Sequence, residues 1–147
     1  MRDISIKMGL LMLAGFVSFF LLMYFLGLSH RTELRVFNGV IHFYFLNRAI
    51  RAYYALHPEK ISNYMSGLAQ GMWVSLVGVT GFILFMTIFL SLDSNLMNTI
   101  RQDSHLSTYL NPFTACLFIF AEGLVIGLIG SYILTRIIIN NLSPDKG

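Results

Sequence analysis

Charge is what this chain has least of. Of its 147 residues only 12% are charged, ten Lys and Arg against seven Asp and Glu, where a soluble domain carries about 25%. Charges this sparse cannot cover the surface of a soluble domain whose mean hydropathy is +0.69. That excludes intrinsic disorder and most soluble enzyme folds. Cysteine is nearly absent too: Cys116 stands alone, which excludes an internal disulfide, a secreted disulfide scaffold and any CxxC metal or redox site. There is no GxSxG, no HExxH and no phosphate-binding glycine loop, and no His/Asp/Glu cluster has metal-ligand spacing. No serine has a histidine and an orienting acid arranged around it. The expectation is a non-enzymatic chain with no metal and no cofactor.

What the chain does have is long apolar runs. A bilayer's hydrocarbon core is about 30 Å thick, so a spanning helix takes about 20 mostly apolar residues. Residues 8–28 carry no charge over 21 positions, and residues 61–92 carry none over 32, with the most apolar part at 73–92. Residues 113–135 carry one charge in 23, Glu122. A spanning backbone must be helical or part of a closed barrel, and these runs lack the alternation of barrel strands. The first run is longer than the apolar core of a signal peptide, and no small-residue cleavage site follows at Leu28-Ser29-His30, so a retained helix is expected.

A fourth segment is more polar. Only 12 uncharged residues separate Arg35 from Arg48, too few to span. Extended to residues 36–55 the segment is long enough, with Arg48 and Arg51 reaching the headgroups along their apolar stems. The alternative is an amphipathic helix lying in the interface. The block His42-Phe43-Tyr44-Phe45-Leu46 is apolar almost all round, which favours a span. The expected fold is therefore all-α, an integral membrane four-helix bundle forming a single transmembrane domain over residues 1–147, with spans at about 8–28, 36–55, 73–92 and 113–135.

Four spans put both ends of the chain on one side. That side holds Arg2, Lys7, Arg48, Arg51, Lys60, Arg136 and Lys146, against Arg31, Arg35 and Arg101 on the other. Seven against three predicts cytoplasmic termini by the positive-inside rule. Tyr53, Tyr54, Trp73 and Tyr132 are expected at the inner interface, Tyr24 and Tyr109 near the outer one. The basic balance is this bias, and no basic patch with interleaved aromatics points to nucleic acid. Residues 30–35 read as a tight connection, and residues 59–72 as an extension of the third helix after Pro58. Residues 94–111 read as the longest loop, with room for a short amphipathic helix around Leu96, Met97 and Ile100. The tail 140–147 reads as frayed.

Three groups of residues are candidates for function. Glu122 falls near the expected bilayer midplane, where an ionised carboxylate is expensive unless protonated or paired. Counting about 1.5 Å per residue from the span ends brings Arg48 and His42 each within about 5 Å of its depth. An intramembrane ion pair or proton site of Glu122, Arg48 and His42 is expected, either structural or as a proton or ion relay; the alternative is a lone lipid-facing or headgroup-exposed carboxylate. Small residues recur at Gly67, Gly71, Ser75 and Gly78, and at Gly123 and Gly127, with Gly81, Cys116 and Gly130 close to these stripes. Such faces pack membrane helices or dock a partner. Arg48 and Arg51 are expected to bind lipid phosphates at the inner leaflet. Polar groups lie on both faces of the second helix, with Tyr44, Asn47, Arg48 and Arg51 on one and Arg35, Asn38, His42 and Tyr53 on the other. That places this helix centrally or against a partner. His42 is the only histidine within a span, so a b-type haem would need a partner subunit.

The pieces Asn47-Arg48-Ala49-Ile50-Arg51-Ala52-Tyr53, Gly67-Leu68-Ala69-Gln70-Gly71 and Glu122-Gly123-Leu124-Val125-Ile126-Gly127-Leu128-Ile129 resemble a group of uncharacterised four-helix membrane proteins common in the Bacteroidota. The resemblance implies a four-helix membrane protein and supplies no activity. The expected function is an accessory or interaction subunit of a larger membrane assembly in the bacterial inner membrane. Its partners would be lipids and other membrane subunits or further copies of itself. The alternative is a transporter or channel component using Glu122 as a proton-linked carboxylate.

Overall fold

The computed structural model describes residues 2–28, 35–95, 98 and 111–142. Four long helices build it: α1 (Arg2–Phe25), α2 (Arg35–Leu56), α3 (Tyr64–Leu92) and α4 (Pro112–Leu142). A 3-10 turn at Pro58–Lys60 links α2 to α3, with Pro58 in its first turn, where the missing N–H is no loss. Three stretches, Asp3–Phe25, Tyr64–Leu92 and Phe113–Leu142, are long and apolar enough to cross a membrane. The chain is a small all-α membrane protein. α2 has the length, 22 residues or about 33 Å, but its polar residues make it less apolar than the other three.

Helix ends differ from the expected spans for local reasons. α1 stops at Phe25, because Gly27 takes φ +68 and the N–H groups of Gly27 and Leu28 close back on the carbonyls of Tyr24 and Met23. This is the left-handed glycine stop that only a residue without Cβ accepts readily. α4 begins at a reciprocal cap: Asn111 Oδ1 accepts from the Thr114 N–H at 2.8 Å, and Thr114 Oγ1 accepts from the Asn111 N–H at 2.8 Å. It continues through Leu142, past the start expected for a frayed tail, since a charge at Arg136 ends an apolar run but not a helix. α3 starts at Tyr64, so the expected extension into residues 59–72 is helical over its second half. The loop helix expected around Leu96, Met97 and Ile100, and residues 30–34, 99–110 and 143–147 with Arg31, Arg101, Tyr109 and Lys146, lie outside the described residues.

α1 and α3 run parallel, while α2 and α4 run the opposite way. The near end of the bundle is where α1 and α3 begin; the far end is where they finish. α3 is central, packed along both α1 and α4, and α2 touches all three. The α3–α4 seam is built from small residues. A Cβ added at Gly67 would collide with Tyr54 and Thr135, one at Gly71 with Ser131, one at Gly127 with Ser75, and one at Gly123 with Val79. These pairs step four residues up α3 and four down α4, one turn at a time, so the antiparallel register is unbroken over four successive levels. Gly78 and Gly81 do not join this seam: they turn to α1 and meet Met12 and Leu13, while Gly130 meets Leu46 and Phe43 of α2. The seam follows an i+4 row that drifts about 40° per step at about 100° per residue, so at the level of Gly78 it has already moved on to Val79.

The far half of the α1–α3 contact is aromatic instead. Phe20 meets Phe89 edge-on at 5.1 Å, Tyr24 meets Phe89 at 5.0 Å, and Phe16 meets Phe82 at 5.4 Å, separations at which ring quadrupoles attract. The Tyr24 hydroxyl donates to Asp93 Oδ2 at 2.6 Å, joining the far ends of the two helices. At the near end the Ser5 hydroxyl donates to Gln70 Oε1 at 3.2 Å. Tyr53 and Tyr54 are buried between helices, whereas Trp73 and Tyr132 face outward. The expected inner aromatic belt is therefore corrected: the two adjacent tyrosines of α2 belong to the core, because its face at Ile50, Tyr53 and Tyr54 packs on Ile138 of α4.

Lipid tails are as apolar as leucine, so helix association here rests on close packing rather than on the hydrophobic effect. Gly71→Leu is expected to destabilise the bundle by about 1–3 kcal/mol or more through overpacking against Ser131. Gly39→Ala, where nothing lies within 4 Å of the added Cβ, should be neutral or gain up to about 1 kcal/mol of helix propensity. Unfolding titrations in mixed detergent micelles compare the two.

Candidate functional site

The polar residues of α2 separate cleanly by face. Arg48 and Arg51 are exposed, and Arg51 Nε donates to Asn47 Oδ1 at 2.9 Å one turn back. His42 points the other way and is 2% exposed. Its Nε2 lies 2.9 Å from Ser75 Oγ in a buried hydrogen bond to α3. The ring of Phe16 stands against the imidazole edge-on at 5.7 Å. Gly127 makes room for the pair, because a Cβ there would collide with Ser75 and touch His42 Nε2 at 3.5 Å.

Beside His42 a pocket of about 60 Å³ opens between α2 and α4, lined by Asn38, Gly39, His42, Ile119, Glu122 and Gly123, with Phe16, Val79, Phe82 and Ile126 closing it. It has room for a few water molecules and is far smaller than the roughly 300–1,000 Å³ of an organic ligand pocket. The side-chain oxygen Oδ1 of Asn38 is buried and accepts no hydrogen bond among the described residues. Glu122 forms the rim and is exposed on the outer surface of α4. Its neighbour Gly123 packs on Val79, which puts the carboxylate level with the middle of α3.

Glu122 and His42, paired as candidates from their depth, thus share one cavity. Arg48 does not line it. Leu46 packs on Gly130 and the pocket sets Asn38 beside Glu122, so α2 and α4 run side by side in a steady parallel register. In that register Arg48 lies ten residues, about 15 Å, nearer the near end than Glu122 does. Depth counted from the expected span ends went astray because α4 starts farther out than α2. Arg48 instead belongs with Arg51 on the exposed near-end face.

The small-residue candidates Gly67, Gly71, Gly78, Gly123 and Gly127 are all used inside the bundle. Sequence reasoning did not single out Asn38 as part of the site or Ser75 as the partner of His42. Asn38 sits one turn before His42 on the same face, and Ser75 interrupts a glycine stripe, so both signals were present. His30 and His105 lie outside the described residues. Among the described residues no group of three or more His, Cys, Asp and Glu side chains could hold a metal.

Compared with protein-family models, curated proteins and solved structures, the chain matches none.

Ser75→Ala removes the hydroxyl and leaves the imidazole without its bond to α3. The expected loss is about 1 kcal/mol, the usual value for an interhelical hydrogen bond in a bilayer. The same change should alter the ring ¹⁵N shifts of His42, since the bond holds one tautomer. Unfolding titration and side-chain NMR of the labelled protein measure both.

Proposed function

We propose that this chain is an accessory subunit of a larger membrane assembly and docks its partner through the α2–α4 face around Glu122. The observation that carries the reading is the buried Asn38 Oδ1, which accepts no hydrogen bond among the described residues, in a pocket that opens at mid-depth beside Glu122 on a surface otherwise made of Phe118, Val125 and Ile129. A transmembrane helix of another chain that presents an N–H donor at that depth would cover the pocket and satisfy Asn38 Oδ1. In this reading α2 is a fourth span, supported by its contacts with all three other helices. Arg48 and Arg51 meet lipid phosphates at the cytoplasmic leaflet of a bacterial inner membrane, where both ends of the chain also lie.

One observation favours a second reading. The mostly apolar pocket at Glu122 also includes His42 and Asn38, the groups a proton-linked carboxylate needs beside it, and a proton requires no larger cavity. On that reading the chain is a component of a transporter or channel, and Glu122→Gln stops flux while leaving assembly intact.

Photocrosslinkers placed at Phe118 and Val125, which flank Glu122, test the docking reading against one at Leu10 on the exposed side of α1. The expected result is a crosslink from the α4 positions to a helix of another chain bearing an N–H donor at that depth, reduced at least tenfold by Asn38→Leu. A chain that extracts as a stable monomer, or crosslinks equally from Leu10, overturns it. A crosslink to a second copy would make the face a homo-oligomer contact.

A further inference from the structure

One exposed side chain from each helix falls at a common level of the bundle. Lys7 lies midway between Ser5, which bonds Gln70, and Gly9, which packs on Val74 and Val77, so it stands level with Trp73. Tyr132 follows Ser131, which opposes Gly71. Arg48 lies two residues past Leu46, as Tyr132 lies two past Gly130, the residue on which Leu46 packs. Lys7, Arg48, Trp73 and Tyr132 are thus within about 5 Å of one another along the bundle. All four are exposed, Trp73 by 54% and Tyr132 by 50%. Basic and aromatic side chains at one depth mark a membrane–water boundary. From Trp73 to Asp93, which takes the Tyr24 hydroxyl, α3 rises about 30 Å, the thickness of a hydrocarbon core.

Arg51 stands about 5 Å beyond Arg48 toward the near end, at the depth of the headgroup layer. Its Nε bond to Asn47 Oδ1 holds the plane of the guanidinium and leaves the two terminal nitrogens to fork onto a phosphate. No carboxylate pairs with Arg48 or Arg51 among the described residues. Tyr44, Asn47 and Arg51 share one face of α2, and Phe43 beside them packs on Gly130 of α4. Opposite them, Ile129 and Ile133 continue the side of α4 that Ile126 turns to the α2 pocket. Both isoleucines are exposed, as is Tyr44. The two edges flank an outer groove that is apolar toward mid-depth and cationic at the near end, the polarity of a phospholipid.

On the reading of α2 as a span whose arginines meet the leaflet, we propose that the near half of this groove is a binding site for one anionic phospholipid. Arg51 and Arg48 hold its phosphate, Asn47 positions Arg51, and an acyl chain lies along Ile133, Ile129 and Tyr44. Charge selects the headgroup. A choline head carries a cation beside its phosphate and brings it against two guanidiniums, where like charges repel; a glycerol head brings none. Docking of a partner at the Glu122 pocket uses the other half of the groove.

Native mass spectrometry tests it on the full chain, extracted from vesicles of equal phosphatidylglycerol and phosphatidylcholine. One phosphatidylglycerol should stay bound per chain, preferred at least fivefold over phosphatidylcholine. Arg48→Gln with Arg51→Gln should abolish the preference. Asn47→Leu, which leaves the charge unchanged, should lower it at least threefold. Lys7→Gln, at the same level on α1, should leave it intact. Equal losses from Lys7→Gln and from the α2 pair would reduce the effect to general surface charge and overturn the site. So would an unaltered preference in Asn47→Leu, or displacement of the lipid by excess inorganic phosphate, which would assign the arginines to a free anion. Solid-state NMR dephasing of the Arg48 and Arg51 guanidinium carbons by ³¹P, in vesicles of phosphatidylcholine alone, separates this failure from that of the underlying reading. Phosphate contact there without any preference in the mixture keeps the arginines at the leaflet and overturns only the site; no contact overturns both.

Discussion

The approach of α3 to α4 is the constraint on which the rest of the bundle depends. In a bilayer, apolar side chains gain nothing by leaving lipid for one another, so helices hold together where their surfaces fit closely. This pair fits because four successive turns place glycine or a small hydroxyl residue opposite its partner. The closeness leaves the hydroxyls of Ser75, Ser131 and Thr135 inside the contact rather than at its edge. It also sets Ser75 where His42 of α2 can reach it. Packing and polarity in the near half are thus one feature, and α2 is held to the bundle by the same seam.

The far half works differently. Rings from Phe16, Phe20 and Tyr24 interleave with Phe82, Phe85 and Phe89, and bulk replaces close approach. The Glu122 pocket lies at the boundary between the two regimes. There the small residues of the seam end at Gly123 and the first ring pair begins at Phe16 and Phe82, so neither kind of packing fills the gap. A cavity at that level follows from the change of packing, and a histidine and a carboxylate border it.

Apolar runs identified the helices at once, and the spacing of Gly67, Gly71 and Ser75 identified the seam, because period and residue size are written directly in the chain. Glu122 and His42 were also legible, since polar residues inside a long apolar run stand out. Helix ends were less so. A charge closes a hydropathy window without ending a helix, so α1 starts before residue 8 and α4 outlasts residue 135. Relative depth was not legible, because it depends on how far each helix projects past its neighbour; this is why Arg48 was set too close to Glu122. Long-range bonds such as Ser5 with Gln70 and Tyr24 with Asp93 have no local signature at all.

The seam's regularity also leaves something undetermined. Slide α4 by one turn, about 5.4 Å, and Gly71 would face Gly127, Ser75 would face Gly123, and Gly67 would face Ser131. Small would still meet small, and the steric fit would be nearly the same. A repeating rack cannot choose its own tooth. That choice falls to contacts that do not repeat, such as the Tyr64 hydroxyl donating to the carbonyl of Tyr132 at 2.9 Å. A polar bond of ordinary strength therefore helps select one alignment from a degenerate set.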